Sequence, residues 1–155
     1  MDILFTAIDN VFTLQNMLFM SVAVFLGIIA GALPGFSATM AVALMVPFTF
    51  TMDTIPGLVT IGALYASTIF GGAFSAILLN TPGTPSSIAT CFDGYPMARN
   101  GRGEEALYTA SVASSFGGVI GTVILILFAL PLAKVSLSFG PPEFFWMAVF
   151  GLTII

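Results

Sequence analysis

Hydrophobic positions fill this chain in long runs, and the few charged positions set their limits. Asp9 and Asp53 are separated by 43 uncharged residues, Asp53 and Asp93 by 39, and Glu105 and Lys134 by 28. A bilayer-spanning helix takes about 20 residues at about 1.5 Å each. The third run therefore predicts one long or tilted span. The first two are each too long for one helix, and each predicts about one span plus a shorter piece.

The predicted spans are about 11–33, 57–79, 106–130 and an incomplete 144–155. The short half-helices are about 38–50 and 85–92. Two breaks share one grammar. Pro34-Gly35 closes the first span, and Ser37 follows as an N-cap whose hydroxyl can accept from backbone N–H groups of the next turn. Pro82-Gly83 follows Asn80-Thr81 at the end of the second span. Thr84 is then the N-cap of a helix with Pro85 at its first position, where the missing N–H costs nothing. The predicted fold is an all-α polytopic membrane protein, its spanning helices interrupted by Pro-Gly breaks with short re-entrant half-helices.

Composition agrees with this pattern. The chain is 58% hydrophobic and 6% charged, with a mean hydropathy of +1.11. Soluble domains average about 25% charged residues, so this inventory cannot cover a water-facing surface. Ten charged side chains are too few to indicate a nucleic-acid partner; membrane lipid is the expected surroundings. The N-terminal MDILFTAIDN carries two acids and no base, the wrong flank for a secretory signal peptide.

Small residues mark helix packing. Gly27-x-x-x-Gly31 and the series Gly62, Ala63, Ala66, Ser67, Gly71, Gly72, Ser75 and Ala76 recur at three- and four-residue steps, which lets neighbouring backbones approach closely. Asp93-Gly94 and Pro96 predict a turn after the second half-helix, and Met97 to Gly103 an exposed basic loop. Arg99 and Arg102 place that loop on the cytoplasmic side by the positive-inside rule, with Lys134 as a lone opposing vote. Pro131 is expected to end or kink the third span. Asp53 reads as a solvated loop acid or a helix cap, Asp93 as a turn acid rather than an ion site, and Cys91 as a small packing residue.

Irregular backbone at membrane depth is tolerated where it lines a cavity or is buried in protein, and discontinuous helices of this kind build binding sites in secondary transporters. Pro34, Gly35, Ser37, Thr39, Asn80, Thr81, Pro82, Gly83 and Thr84 are therefore the candidates for a substrate or coupling-ion site. Backbone amides and hydroxyls can meet an anion there without a buried charge, which costs roughly 2.5–3.5 kcal/mol at mid-bilayer on insertion scales. The chain has no His, no activated Ser and no paired carboxylates at membrane depth, so no enzymatic chemistry is expected, and no metal site or organic cofactor either.

Gly27-x-x-x-Gly31-x-x-Pro34-Gly35-Phe36-Ser37-Ala38-Thr39, Leu79-Asn80-Thr81-Pro82-Gly83-Thr84-Pro85, Asp93-Gly94-Tyr95-Pro96-Met97-Ala98-Arg99 and Gly140-Pro141-Pro142-Glu143-Phe144 resemble signatures of the large membrane subunit of tripartite tricarboxylate transporters, the TctA family. The resemblance covers nearly the whole chain and implies a permease subunit of the bacterial inner membrane. It further implies a carboxylate substrate, a small membrane subunit and a periplasmic binding protein as partners, and uptake driven by a Na⁺ or H⁺ gradient. Members of that family are much longer, so the chain is expected to be the N-terminal portion. The rival expectations are a non-transporting fragment acting as an assembly partner and a channel-like pore.

Overall fold

The computed structural model describes residues 2–154, with side chains from 7 to 153. No strand occurs among the described residues. The helices are α1 (Asp2–Val11), α2 (Leu14–Ala32), α3 (Ala38–Thr49), α4 (Thr54–Leu79), α5 (Ile88–Met97), α6 (Gly103–Ser136) and α7 (Pro141–Ile154), with a 3₁₀ turn at Pro85–Ser87 and a π turn at Ala98–Arg102. The all-α polytopic membrane fold expected from the run lengths is what these elements make. Three helical stretches, Leu14–Ala32, Thr54–Leu79 and the one that contains α6, are long and apolar enough to cross a bilayer. The expected last span, 144–155, ends on Ile155, outside the described residues.

Contacts divide the chain into two units, residues 1–112 and 113–155. In the second unit α6 presents large apolar side chains throughout, Val119, Leu125 and Leu127 each more than half exposed, as a lipid-facing helix does. The helix continues through Pro131 instead of ending there. Proline is tolerated in membrane helices where the freed backbone groups find other partners.

The first unit is built on α2 and α4. Gly27 lies against Leu64 and Ser67, and Gly31 against Thr68; Gly71 lies against Ile28 and Gly31. The partners advance in the same direction on both helices, so α2 and α4 run parallel. Glycine is required at this seam because an added Cβ at Gly71 would stand 2.5 Å from the Ile28 carbonyl oxygen and 3.1 Å from the Gly31 Cα. With no water to exclude, such helices associate through close van der Waals contact and interhelical hydrogen bonds. The buried Ser67 hydroxyl donates to the Ala63 carbonyl at 2.6 Å and lies 3.4 Å from the Ala23 carbonyl of α2.

A parallel pair needs a return path, and α3 supplies it. Phe36, at the start of α3, packs with Ala30 around the cluster of Ala23, Ala41 and Leu64, while Thr49, at its end, meets Gly57 near the start of α4. The expected re-entrant excursion over 38–50 is thus replaced by a short antiparallel helix that runs back along the seam. Its 12 residues rise about 18 Å, and turns on either side connect it to α2 and α4.

Two further boundaries differ from expectation, while Asp53 holds the exposed N-cap position that the sequence allowed. The first apolar stretch is divided at Phe12-Thr13, where the Thr13 hydroxyl caps α2 by accepting from the Asn16 N–H at 3.3 Å and the Asn16 amide donates to the Asn10 carbonyl at 2.7 Å. Asp53 stands at the N-cap position of α4 without a side-chain cap bond. The turn expected at Asp93–Pro96 is absent, because α5 runs through it to Met97. Gly94 is a packing glycine: an added Cβ would lie 2.7 Å from Cγ1 of Ile77. The chain turns instead at Gly101, whose φ of +79° suits a residue without a Cβ. The predicted basic loop is therefore a tight helix-to-helix corner, at which Arg102 donates through Nε and Nη2 to both carboxylate oxygens of Glu105, at 2.7 and 2.6 Å. These hydrogen bonds hold the Glu105 carboxyl below its ordinary range.

Candidate functional site

The site begins where α4 stops. Asn80 caps it in the left-handed conformation, φ +57°, and the N–H groups of Asn80 and Thr81 both turn back to the Ser75 carbonyl. From there the chain dips beside its own helix. Gly83 sits among Gly31, Ser75 and Gly72: an added Cβ would lie 2.8 Å from the Ser75 hydroxyl, 3.0 Å from the Gly72 Cα, and closer still to the Gly31 carbonyl. Thr84 lies on Gly72 with its side chain buried. The chain then rises through the 3₁₀ turn and α5 until Gly94 reaches Ile77 and Gly103 reaches Leu78. This segment is re-entrant, since it returns to the end of α4 that it left.

The local fold at Thr84 follows from its sequence. Pro85 occupies the first helical position, and the Thr84 N–H donates to the Ser87 hydroxyl at 3.3 Å. Ser87 donates in turn to the Thr84 carbonyl at 2.8 Å, and the Thr84 and Ser86 hydroxyls lie 3.0 Å apart. At the other break, Gly35 takes φ +86°, and the Ser37 hydroxyl accepts from the Met40 N–H at 3.2 Å, capping α3.

These two breaks meet. A cavity of about 340 Å³ is lined by Gly35 and Ser37 from the first and by Pro82, Gly83, Thr84, Pro85 and Ile88 from the second. Of the nine sequence candidates, five line it. Pro34, Thr39, Asn80 and Thr81 are exposed and lie outside the lining. Asn80 and Thr81 are spent on ending α4, and Thr39 is turned away from the cavity on α3. Pro85 and Ile88 were not among the candidates. Ile88 follows Thr84 by four residues, which puts it on the same helical face; that spacing was the available signal.

The lining is mostly apolar surface; Ser37 and Thr84 are its hydroxyl-bearing residues, and no ionisable side chain belongs to it. The two helix starts differ as donors. The first turn of α3 keeps N–H groups directed out of the helix end, as any first turn does. The second start has lost one donor to Pro85 and commits the Thr84 N–H to Ser87. That break therefore offers oxygen atoms more than N–H groups. Because the role of Asn80 is conformational, Asn80→Gly should leave stability and any solute uptake near the parent level. Asn80→Val should lower the midpoint of thermal unfolding by an amount equivalent to roughly 1–2 kcal/mol. Circular dichroism melts of both variants in detergent check this.

Among the described residues no group of three or more His, Cys, Asp or Glu could hold a metal ion. No solved structure matches the chain. A curated relative from Agrobacterium vitis, described as an uncharacterized 52.8 kDa protein in the TAR-I ttuC' 3'region, is 41% identical over 146 residues. That alignment covers 94% of this chain and 29% of the relative, so the chain spans less than a third of the relative's length. The family model described as the tripartite tricarboxylate transporter TctA family matches residues 17–155, nearly the entire chain. With its parallel glycine seam and its pair of Pro-Gly breaks, the chain belongs to the tripartite tricarboxylate transporter TctA family.

Proposed function

We propose that this chain forms part of a multi-pass permease of the bacterial inner membrane that takes up a carboxylate handed over by a periplasmic binding protein, with a small membrane subunit as its second partner. The observation that carries the reading is the meeting of the two breaks around one cavity that has no ionisable side chain, its mostly apolar lining including the hydroxyl-bearing residues Ser37 and Thr84. A carboxylate there is met by the first-turn N–H groups of α3 and by the Ser37 hydroxyl. Each such helix terminus is worth about 0.3–1 kcal/mol to an anion when exposed and up to about 2 when partly buried. That is strong enough to select and weak enough to release.

The same lining favours a metal cation over a proton as the coupling ion. Proton coupling needs a side chain that gains and loses the proton, and none lines the cavity. The seven acids of the chain include Asp53, Asp93, Glu104 and Glu105, all of which are exposed. A sodium-sized cation needs oxygen ligands and no titrating group, and Ser37 and Thr84 are the hydroxyl-bearing residues of the lining. Uptake of labelled tricarboxylate into vesicles is expected to follow an imposed Na⁺ gradient and to persist when the pH gradient is collapsed. Uptake driven by a pH gradient in sodium-free medium would sink the coupling assignment. Uptake unaffected by either gradient would favour the channel-like alternative.

A further inference from the structure

A second concavity lies on the first unit, at the corner where the chain enters α6. It is an open groove of about 640 Å³ between α4 and the start of α6, lined by the charged Arg102, Glu104 and Glu105 and by the apolar or aromatic Phe74, Leu107 and Tyr108. From Arg102 to Tyr108 the helix climbs about 9 Å, so the crevice passes from charged to apolar over the depth of a lipid headgroup and glycerol. Tyr108 is 71% exposed, placed as aromatic side chains are at membrane interfaces.

We propose that this crevice is a binding site for a zwitterionic glycerophospholipid whose headgroup ends in a primary ammonium. The charges select that class. Arg102 has five N–H donors and uses two of its nitrogens, Nε and Nη2, on Glu105, which leaves donors for a lipid phosphate beside the first-turn N–H groups of α6. Glu104 is exposed and has no ion-pair partner among the described residues. It is the acceptor for an ammonium. One guanidinium and two carboxylates give the groove a net charge of −1, which disfavours an anionic headgroup. A quaternary ammonium satisfies the charge of Glu104 but has no N–H to donate. The acyl chains run along Phe74 and Leu107. This site is separate from the cavity between the breaks and does not depend on the transport reading.

Native mass spectrometry tests it, on the 155-residue chain in detergent with equimolar phosphatidylethanolamine, phosphatidylglycerol and phosphatidylcholine of identical acyl composition. Phosphatidylethanolamine adducts are expected to exceed each of the others by about fivefold, on the scale of one charge-assisted hydrogen bond in a partly wet site. Glu104→Gln should bring the ethanolamine and choline lipids to parity, with helix content unchanged by circular dichroism. Arg102→Gln should lower retention of all three, and Asp53→Asn, at the other end of α4, should change nothing. Phosphatidylglycerol held as well as or better than phosphatidylethanolamine would overturn the proposal. So would an ethanolamine preference that survives Glu104→Gln, or a protein that retains none of the three lipids.

Discussion

Gly83→Ala should destabilise the first unit by about 3 kcal/mol, the upper part of the range for overpacking a filled interior, and should abolish uptake by any transporter that carries it. The atoms in the way are backbone or short side chains fixed by it: the Gly31 carbonyl, the Ser75 hydroxyl and the Gly72 Cα. None is the end of a flexible side chain that could swing aside. To make room, the second break must lift off α2 and α4, which removes the back wall of the cavity. Two other glycines serve as controls on the same scale. At Gly62, on the same helix α4, an added Cβ meets nothing within 4 Å, so Gly62→Ala should stabilise, by up to about 1 kcal/mol from helix propensity. Gly35 also has open space but holds φ +86°, so Gly35→Ala should cost about 1–2 kcal/mol through backbone strain alone. Thermal unfolding in detergent should rank the variants with Gly62→Ala highest and Gly83→Ala lowest. Equal effects at Gly62 and Gly83 would show that contact at the break does not matter.

Thr84→Val is expected to leave the fold standing and to lower tricarboxylate uptake by about 10- to 100-fold. Valine keeps the shape that rests on Gly72 and removes only the hydroxyl. That group lies against Gly72 and approaches Ser86 at 3.0 Å, in a residue that belongs to the cavity's lining. Loss of one hydrogen bond to a charged ligand corresponds to about 1.5–3 kcal/mol, which gives that range. Thr84→Ser, which keeps the hydroxyl, should retain most uptake. If Thr84→Val transported at the parental rate, the second break would be a structural plug and not half of a site.

Much of this architecture was legible in the sequence because charge is so scarce. Runs of 43 and 39 uncharged residues are too long for one span, and each contains a break between a long helix and a shorter one. The caps were equally readable, since Ser37 and the Thr84-Pro85 pair have few alternative uses directly after a Pro-Gly step. What sequence could not decide was direction. A 12-residue apolar helix looks the same whether it re-enters or runs back, and only the parallel register of Gly27 and Gly31 on Ser67 and Thr68 assigns α3 to the second case. Asp93-Gly94 and Pro96 misled for a related reason. Glycine next to aspartate reads as a turn, whereas Gly94 is there so that α5 can lie on Ile77. The break at Thr13 left no signal, because it contains neither proline nor glycine. In the candidate site, the residues that hold the break open could not be told from those that face the cavity. Asn80 and Thr81 lie outside the cavity's lining, and Gly83 and Thr84 belong to it.

The central claim is that Pro34-Gly35 and Pro82-Gly83 serve one ligand. Substrate protection of introduced cysteines tests it most directly. With Cys91 replaced by Ala, Ser37→Cys and Ile88→Cys report on opposite walls of the cavity, and Thr39→Cys reports on an exposed position outside it. In membranes that take up a tricarboxylate through this protein, saturating substrate should slow labelling by a hydrophilic maleimide at both wall positions, 37 and 88, and leave position 39 unchanged. Protection at only one wall, or equal protection at all three positions, would contradict a shared site.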